Sequence, residues 1–312
     1  MRSKQPHESV LLQEWLTFLQ DRHISVYVDG TLGAGGHAKA VLEKHPEIQR
    51  FIGIDQDEEA LNIAREQLKS WNPFIDFVKA NFSQLGEILE ERKFRDIDVL
   101  FLDIGVSSMQ LDQRERGFSF MEEGPLDMRM DRAYSLTAAD VVNTYTEQDL
   151  GKIFREYGEE PRWRKAAAAI VQARQENPIL TTKGLASVLK PVLTPLPRKR
   201  IHPLTLVFQS LRIEVNRELE VLKMVLREGI QRLSSKGIFG IITFHSLEDR
   251  IVKRAFRDAA SDKENTRGLS GVFIDKTPLV KILTRKPIIA TEDEVKANPR
   301  ARSAKLRVIQ KI

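Results

Sequence analysis

The sequence predicts a doubly wound α/β sheet that carries an inserted helical domain. From residue 24 to about residue 102, short β-branched runs alternate with longer amphipathic stretches, which is typical of βαβ units in a parallel sheet. Past residue 103 this alternation stops, and an apolar strand pattern returns only at 237–244. We therefore assign 1–111 and 206–312 to one discontinuous sheet domain and 112–205 to the insert.

The elements of the first half follow from apolar spacing and from the turn residues at their ends. The predicted strands are Ile24–Asp29, Arg50–Asp55, Ile75–Val78 and Ile97–Asp103. The predicted helices are Gly36–Lys44, Glu58–Lys69 and Phe82–Glu91. Because a helix follows each of the first three strands, these strands are expected to lie parallel.

Helix-end signals define the insert, in which we predict no strand. Thr146 and Asp149 have the spacing of a capping box, and Gly158 suits a helix stop. Two further helices are predicted at Pro161–Asn177, which opens on a proline, and at Thr182–Lys190.

Beyond the insert, the chain is predicted to form one long helix and then to resume the sheet. Apolar residues repeat at spacings of three and four from Leu211 to Leu233, which indicates a continuous amphipathic helix. Ser246 with Asp249 can cap the helix after the next strand. The segment 261–276 is predicted to be a loop. The predicted strands are Gly237–Phe244, Ile288–Ala290 and Leu306–Gln310.

The composition excludes several chemistries and allows a polyanionic partner. The chain has no cysteine, which excludes thiolate zinc sites, cysteine-ligated iron–sulfur clusters and cysteine nucleophiles. The histidines are scattered, so we expect no metal site. Lys and Arg number 49 against 44 Asp and Glu, a balance that permits nucleic-acid binding without requiring it. No apolar run is long enough to cross a membrane, and we expect a cytoplasmic protein.

A glycine-rich turn follows the first predicted strand. It reads Asp29-Gly30-Thr31-Leu32-Gly33-Ala34-Gly35-Gly36-His37, and its glycines let backbone amides approach a ligand closely. Asp55 ends the second strand, where a carboxylate can accept hydrogen bonds from the ribose hydroxyls of an adenosine. Nicotinamide dehydrogenases share this arrangement, and a tight turn beside a solvated aspartate is the plainer structural alternative. The pattern predicts a site for a nucleotide-like cofactor.

A second acidic strand end is Asp103. Ligands of open α/β sheets lie beyond the carboxyl ends of the strands, so Asp103 is expected to face the cofactor. A carboxylate there can accept a hydrogen bond from an amine substrate, although it can also simply cap the next turn. His245, at the end of the returning strand, is either a proton relay or a structural hydrogen-bonding residue.

Longer strings in the sequence resemble one family. These strings are Val10–Leu12, Asp29–His37, Leu102–Asp112, Arg116–Phe120, Gly124–Asp131, Gly158–Glu160, Phe208–Ile213, Phe244–Arg250 and Asn298–Arg307. They resemble the RsmH (MraW) family of bacterial ribosomal RNA cytosine-N4 methyltransferases, and the similarity spans nearly the whole chain.

The resemblance implies a Rossmann-like S-adenosylmethionine methyltransferase sheet with an inserted helical substrate-recognition domain. By this resemblance, the residues that contact S-adenosylmethionine are Gly33, Gly35, Gly36, His37, Asp55, Phe82, Asp103 and Gln110. Asp103 is in addition the candidate catalytic residue. From the residues alone, burial of Phe82 in the core and a helix-start position for His37 are the plainer interpretations.

The resemblance also implies a substrate in the small ribosomal subunit. Members of the family methylate a cytidine of 16S ribosomal RNA in the peptidyl-site region, cytidine 1402 in the standard numbering. Such a base must leave its stack, and the candidate residues for stacking on it are Phe118, Phe120 and Trp163. The candidate phosphate contacts are Arg198, Lys199, Arg200, Arg300 and Arg302, in two basic segments of which the second continues to Lys305 and Arg307. The chain could also pair with itself as a homodimer.

Two other functions stay open on sequence grounds. A nicotinamide oxidoreductase on a similar sheet would be stabilised against heat by a dinucleotide and not by S-adenosylmethionine. A ribosome-assembly factor that has lost catalysis would still bind RNA but would show no turnover.

Overall fold

The structure is a computed structural model that describes residues 9–194, 202–265 and 273–312. Its strands are β1 Val26–Asp29, β2 Arg50–Asp55, β3 Ile75–Lys79, β4 Ile97–Asp103, β5 Leu233–Thr243, β6 Lys263–Asn265, β7 Phe273–Asp275, β8 Val280–Ile282, β9 Ile288–Ile289 and β10 Lys305–Lys311.

The helices, in chain order, are α1 Leu12–Leu19, α2 Gly36–Lys44, α3 Glu58–Gln67, α4 Leu85–Glu91, α5 Ser108–Asp112, α6 Ala138–Thr144, α7 Glu147–Glu156, α8 Trp163–Glu176, α9 Thr182–Leu189, α10 Pro203–Asn216, α11 Glu218–Arg232, α12 Ser246–Ala260 and α13 Glu292–Ala297. Across the described ranges, none of them has the length and apolar character needed to cross a membrane.

The chain forms two compact units. The first combines Met1–Gly105 with Leu219–Ile312 and contains the sheet, whereas the second, Val106–Glu218, is helical. The insert predicted at 112–205 lies within the second unit, which extends further in both directions along the sequence. In the described part of the second unit there is no strand, as predicted, and an isolated bridge pairs Pro125 with Thr181.

The sheet of the first unit has the strand order β3-β2-β1-β4-β5-β10-β8, with β9 also paired to β10. The five strands β3, β2, β1, β4 and β5 run parallel to one another, whereas β10 runs antiparallel to β5, β8 and β9. In this register Asp103 of β4 lies beside Ile242 of β5. Because β1, β2 and β4 are parallel, their carboxyl ends meet at one edge, which we call the strand-end edge. The predicted α/β fold with a central parallel sheet is confirmed.

Alternation along the strands divides the apolar core of the first unit into two layers, one on each face of the sheet. On β4, Val99 and Phe101 pack with α1, α2 and α3, whereas Leu100 and Leu102 pack with α4, α11 and α12. Trp15 of α1 stacks on Phe101, with 4.7 Å between the ring centroids. Helices on both faces therefore hold the strands, and with them the residues of the strand-end edge, in fixed positions.

The sequence prediction is most accurate around the glycine-rich turn. The bounds of β2, β4 and α2 are those predicted. The first strand begins at Val26, two residues later than predicted, and α3 ends at Gln67, two residues earlier. The helix predicted from Phe82 begins as a 3-10 turn, Phe82–Gln84, ahead of α4.

The single long helix predicted from Leu211 to Leu233 is wrong. The chain forms two helices there, α10 and α11, and Leu233 begins β5. Arg217 ends α10 in the left-handed conformation, with φ 50° and ψ 34°. Because one residue separates the two helices, the apolar residues keep their spacing of three and four along the sequence, and the pattern cannot reveal the break.

Two predictions after β5 are also wrong. His245, and not Ser246, is the N-cap of α12, since its Nδ1 accepts a hydrogen bond from the Glu248 backbone N–H at 3.4 Å. The Glu248 side chain in turn accepts a hydrogen bond from the His245 backbone N–H, which completes the capping box. The segment 261–276 is not a uniform loop, because the short strands β6 and β7 pair within it.

The second unit has its own apolar core, built from one face of each helix. Residues that contribute to it are Val141, Phe154, Ile170, Leu185 and Leu211. As predicted, α7 is capped by Thr146, whose Oγ1 accepts a hydrogen bond from the Asp149 backbone N–H at 3.1 Å. The next helix, α8, begins at Trp163 and so two residues after the predicted start.

Candidate active site

The glycine-rich turn joins β1 to α2, and backbone hydrogen bonds fix both of its sides. Gly30 donates its N–H to a carbonyl oxygen of β4, and Leu32 donates to a carbonyl oxygen of β2, each at 2.9 Å. Gly33 and Gly35 have φ values of 54° and 88°, which glycine adopts without strain. Gly35 is also the N-cap residue of α2. The turn therefore leads directly into a helix N-terminus, where free backbone amides can meet a ligand.

The Asp55 carboxylate is fixed by two backbone donors. Its Oδ2 accepts a hydrogen bond from Gly33 N–H and its Oδ1 one from Asp57 N–H, each at 2.8 Å. Each oxygen keeps a second lone pair. The half-buried carboxylate can therefore accept further hydrogen bonds from ligand hydroxyls without rearranging.

Phe82 lies beside the same turn. Its Cβ is 3.3 Å from the position that a Cβ would take on Gly30. The 3-10 turn that contains Phe82 is capped by Asn81, whose Nδ2 donates to Gln56 Oε1 at 2.9 Å. The ring is half-buried, unlike the fully buried phenylalanines of the strands. Phe82 packs partly against the core of the first unit, and its contact with the cofactor stays a prediction.

Asp103 ends β4 with one carboxylate oxygen unused. Its backbone N–H donates to Thr31 Oγ1 at 2.6 Å, which joins the end of β4 to the glycine-rich turn. Its Oδ1 is buried and has no hydrogen-bond partner within the described ranges. Leaving a buried polar atom unsatisfied costs about 1–3 kcal/mol or more. Such an atom is typical of a site where the partner arrives with the ligand.

Three carboxylates stand at the strand-end edge, Asp29 on β1, Asp55 on β2 and Asp103 on β4. Burial raises the pKa of Asp103 to about 8, and the negative charges of Asp29 and Glu248 add to this rise. Burial also raises the pKa of Asp29 to about 7 and that of Asp55 to about 6. Because a cation relieves both the repulsion and the cost of burial, the cluster favours a positively charged ligand.

His37, in the first turn of α2, lies next to Asp103. Its Nε2 is 2.9 Å from the Val10 carbonyl oxygen, so the neutral ring carries its hydrogen on Nε2. Its Nδ1 is 3.9 Å from Asp103 Oδ2. The ring is buried against Phe101, with 4.8 Å between the ring centroids. His37 is therefore held by the backbone and the core in a position that borders the Asp103 carboxyl group.

The end of β5 adds a buried acid, Glu248, to this edge. Its Oε2 accepts hydrogen bonds from the backbone N–H groups of Phe244 at 2.8 Å and His245 at 3.1 Å. His245 Nε2 is 2.9 Å from Glu248 Oε1, but it is not aligned for a hydrogen bond to any residue that the structure describes. The geometry shows the structural role for His245, as an N-cap, and a proton relay through it stays a prediction.

The first unit brings most of the predicted cofactor residues together. Those in or next to the glycine-rich turn are Gly33, Gly35, Gly36 and His37, and those that end or follow β2, β3 and β4 are Asp55, Phe82 and Asp103. Gln110 belongs to the second unit, where it is buried and its Oε1 accepts a hydrogen bond from Ser107 N–H at 3.1 Å. Contact between Gln110 and the cofactor stays a prediction.

The predicted phosphate contacts stay predictions, and the structure shows where some of them lie. Arg198, Lys199 and Arg200 lie outside the described residues. Arg300 and Arg302 are exposed in a 3-10 turn near the C-terminus. Arg307, further along the same basic segment, is buried, and its Nε donates to Asp249 Oδ1 at 2.7 Å. This arginine stabilises the fold and is not available to a phosphate.

The three aromatic residues proposed for base stacking belong to the second unit, and Phe118 is buried there, which rules it out as an exposed stacking platform. Phe120 is half-buried and packs edge-on against Phe208, with 5.2 Å between the ring centroids. Trp163 is also half-buried, with the Arg164 guanidinium 4.1 Å above its ring. Both keep an accessible part, so their stacking role stays a prediction.

Three further residues shape the site although the sequence did not identify them individually, namely Asp29, Thr31 and Glu248. Asp29 and Thr31 lie inside the glycine motif. Polar side chains among the glycines were the sequence signal that could have identified them. Glu248 stands three residues after the N-cap His245, and capping-box spacing counted from His245 would have found its side chain.

Comparisons with known proteins show the family of the chain. The family model of the MraW methylase family matches residues 4–312. The chain belongs to this family. The ribosomal RNA small subunit methyltransferase H of Protochlamydia amoebophila (strain UWE25) is 56% identical to it over 308 residues, which are 98% of each chain. The protein of the same name from Clostridium botulinum (strain Kyoto / Type A2) is 44% identical over 306 residues, 98% of this chain and 99% of the relative.

A solved structure of an rRNA methylase from Streptococcus thermophilus aligns with 100% of this chain and 99% of its own, at 10% identity and a TM-score of 0.43. The fold is established by the strand order of the sheet itself.

Membership of the family confirms the predicted cofactor, S-adenosylmethionine, and the residues present fit it. The carboxylate cluster with the partnerless Asp103 Oδ1 suits a sulfonium cation and an amine. Asp55 has acceptor oxygens that would suit ribose hydroxyls, and Phe82 has a half-exposed ring that would suit an adenine, and both contacts stay predictions. The nicotinamide oxidoreductase that the glycine motif left open is excluded by the family assignment.

Proposed function

We propose that the protein transfers a methyl group from S-adenosylmethionine to the N4 amine of a cytidine in small-subunit ribosomal RNA, cytidine 1402 of 16S RNA in the standard numbering. The observation that carries this proposal is the buried, partnerless Oδ1 of Asp103 at the strand-end edge. An exocyclic amine supplies the N–H donor that this oxygen lacks. Further support comes from the two relatives, each named a ribosomal RNA small subunit methyltransferase H.

Asp103 performs two tasks in this reaction. S-adenosylmethionine supplies, when bound, an electrophilic methyl group on a positively charged sulfur. Asp103 Oδ1 accepts a hydrogen bond from the N4 amine, which directs the nitrogen lone pair toward the methyl carbon and away from the ring. On methylation the amine nitrogen would lose one proton, and Asp103 Oδ1 would be the acceptor of that proton. Burial raises the pKa of Asp103 to about 8, so its ionised form is a stronger base than an ordinary aspartate.

The other residues of the edge orient the two reactants. Asp55, fixed by Gly33 and Asp57, accepts hydrogen bonds from the ribose, and Phe82 covers the adenine. Thr31 fixes Asp103 relative to the glycine-rich turn through the 2.6 Å hydrogen bond. Because the leaving group departs without help, orientation and electrostatics are the main contributions of the protein.

We assign recognition of the RNA to the helical unit that contains 112–205. The observation that supports this assignment is a loop between α5 and α6 that hydrogen bonds hold in place. The buried Arg116 donates hydrogen bonds from its Nη2 to the carbonyl oxygens of Arg129 at 3.2 Å and Met130 at 2.9 Å. Asn216 of α10 accepts a hydrogen bond from Met130 N–H and donates one to Met128 O, each at 2.8 Å. A loop held from within in this way can present a preformed surface to a substrate.

The direct test is methylation of small-subunit RNA by the purified protein. Small subunits from cells that lack the protein are incubated with isotope-labelled S-adenosylmethionine, and the RNA is digested and analysed by mass spectrometry. We expect one labelled nucleoside, N4-methylcytidine, from the peptidyl-site region. Label on another atom of cytosine, on ribose or on another base would contradict the proposal.

A matched substrate makes this test specific. Reconstituted subunits with uridine in place of the target cytidine have the same shape but a carbonyl oxygen where the amine was. We expect no label in them, because there is no nitrogen at position 4 to accept a methyl group. Equal labelling of both substrates would contradict the amine as acceptor.

A further inference from the structure

The helix after β5, α12, carries basic side chains along its exposed face. Arg250, Lys253, Arg254 and Arg257 are all exposed. Their spacing of i, i+3, i+4 and i+7 places them on one side of an α-helix. The opposite side is apolar and buried, with Val252 and Phe256 in the core beside the sheet. We call the four basic residues the α12 basic face.

Two of the three acids of α12, Glu248 and Asp249, have partners other than Lys253, Arg254 and Arg257. Glu248 is buried and accepts hydrogen bonds from the backbone at the end of β5. Asp249 is paired with Arg307 at 2.7 Å and with Lys305 at 3.6 Å, both on β10. Of the acids on the helix, Asp258, near its C-terminal end, is the exposed one. The α12 basic face therefore concentrates positive charge on the surface of the first unit.

The spacing of these residues costs the free protein stability. Lys253 and Arg257 are like charges at i and i+4, a spacing that destabilises a helix. Attraction to the negative end of the helix dipole accounts for Arg257 in the last turn, but not for the basic residues nearer the middle. A polyanion that binds along the face would relieve the repulsion between Lys253 and Arg257.

The first turn of α12 lies next to the strand-end edge. The helix begins at Ser246, just beyond β5, which is the neighbour of the strand that ends in Asp103. At 1.5 Å per residue, Arg250 to Arg257 spans about 10 Å. That length matches about three phosphates along one strand of a duplex, at roughly 3.4 Å per nucleotide.

We propose that the α12 basic face binds phosphate groups of the RNA strand next to the methylated nucleotide. This proposal rests on the proposed function, because it assumes that the bound polyanion is ribosomal RNA. The charge of the face is complementary to a phosphate backbone. A membrane surface is disfavoured, because the apolar residues of α12 are buried and a membrane-bound helix needs them exposed.

The test compares two triple variants with equal loss of charge. The first removes three residues of the face, Lys253→Gln, Arg254→Gln and Arg257→Gln. The control removes three exposed cations from α2 and α11 of the same unit, Lys44→Gln, Lys223→Gln and Arg227→Gln. Binding of a fluorescent fragment of small-subunit RNA is measured from about 50 to 200 mM salt, a range over which phosphate contacts weaken strongly.

We expect the first variant to bind at least about tenfold more weakly at low salt and to lose about two units of slope in log Kd against log salt. The control variant should change the slope by less than one unit, and both variants should keep the stabilisation that S-adenosylmethionine gives to the wild-type protein. Equal slopes for the two variants would overturn the α12 basic face as an RNA contact. Wild-type protein that labels no cytidine N4 would contradict the proposed function instead, whatever the slopes, so the two failures are distinguishable.

Discussion

Asp55 and Asp103 end two strands of one sheet, yet their carboxylates are in opposite states. Both oxygens of Asp55 accept backbone hydrogen bonds at 2.8 Å, and burial raises its pKa to about 6. At Asp103 the buried Oδ1 has no partner within the described ranges, and burial together with two nearby acids raises the pKa to about 8. One carboxylate is fixed before any ligand arrives, and the other lacks a hydrogen-bond donor.

The difference assigns separate tasks to the two strand ends. A satisfied carboxylate with free lone pairs binds without rearranging, which suits a cofactor that enters the same way in every cycle. A carboxyl group that lacks a hydrogen-bond donor and has a raised pKa is stabilised most when an amine and a positive charge are both present. Both are present only in the reacting complex. We therefore expect changes at Asp55 to weaken cofactor binding and changes at Asp103 to lower the rate of methyl transfer.

The largest expected effect is that of Asp103→Ala. Loss of the acceptor for the amine should lower kcat for methylation of small-subunit RNA by roughly 10²–10⁴-fold, the usual contribution of a positioned acid–base group. The dissociation constant for S-adenosylmethionine should change far less. Single-turnover kinetics and calorimetric titration measure the two quantities separately.

Asp103→Asn sharpens this prediction, because an amide oxygen still accepts a hydrogen bond but does not take up a proton. We expect its kcat to lie between those of the wild type and Asp103→Ala. Neither variant should unfold at a lower temperature than the wild type, since each removes a carboxyl that burial disfavours. An alanine variant with full kcat would remove Asp103 from the mechanism.

Next in size is the effect of Asp55→Asn on cofactor affinity. A hydrogen bond to a charged group contributes about 1.5–3 kcal/mol, so the dissociation constant for S-adenosylmethionine should rise roughly 10–100-fold, measured by calorimetry. The rate at saturating cofactor should fall by less than about threefold, because the chemistry takes place at the other strand end. An Asp55→Asn variant with unchanged cofactor affinity and a low rate at saturating cofactor would contradict the separate tasks assigned to Asp55 and Asp103.

A third prediction concerns pH. The three edge carboxyls have pKa values of about 6, 7 and 8, all above the ordinary value, so they ionise as the pH rises through that range. Affinity for the sulfonium cation should therefore increase by about tenfold between pH 6 and pH 8.5. S-adenosylhomocysteine, which has a neutral sulfur, should show a much smaller change. An equal change of affinity with pH for the two ligands would argue against a cation site at this edge.

The same pKa values determine how the free protein responds to pH. Groups with a raised pKa in the folded state keep their full contribution to stability below about pH 4, and lose it as the pH rises through 6 to 8. Stabilisation by S-adenosylmethionine in a thermal-unfolding assay should accordingly be larger at pH 8 than at pH 6.

The smallest expected effect is that of Glu248→Gln. The amide oxygen can still accept a backbone hydrogen bond from Phe244 or His245, but the negative charge that raises the Asp103 pKa is gone. The ascending limb of the pH–rate profile should move to lower pH, with a change of less than about threefold in the maximal rate. A profile identical to that of the wild type would separate Glu248 from the titration of Asp103.

The sequence predicted the glycine-rich turn and the strand ends well because their signals are local. A glycine with φ of 88°, an acid at the end of an apolar run and a helix that starts at the next residue depend little on the rest of the fold. For this reason the bounds of β2, β4 and α2 are correct. The same residues carried the resemblance to the family.

The remaining differences depend on contacts that are distant in sequence. The break at Arg217 leaves the apolar spacing intact, and arginine is not a residue that usually marks a left-handed turn. Arg307 looked like a phosphate contact, but its pairing with Asp249 requires β10 to lie beside α12, which local pattern does not show. The partnerless Oδ1 of Asp103 is likewise a property of packing and not of any motif.

The most direct test of the account is a crystal structure of the protein with S-adenosylmethionine bound. We predict a ribose whose hydroxyls donate to Asp55, an adenine against Phe82 and a methyl group that points toward the space in front of Asp103 Oδ1. A cofactor bound away from the ends of β1, β2 and β4, or a methyl group turned away from Asp103, would contradict the account.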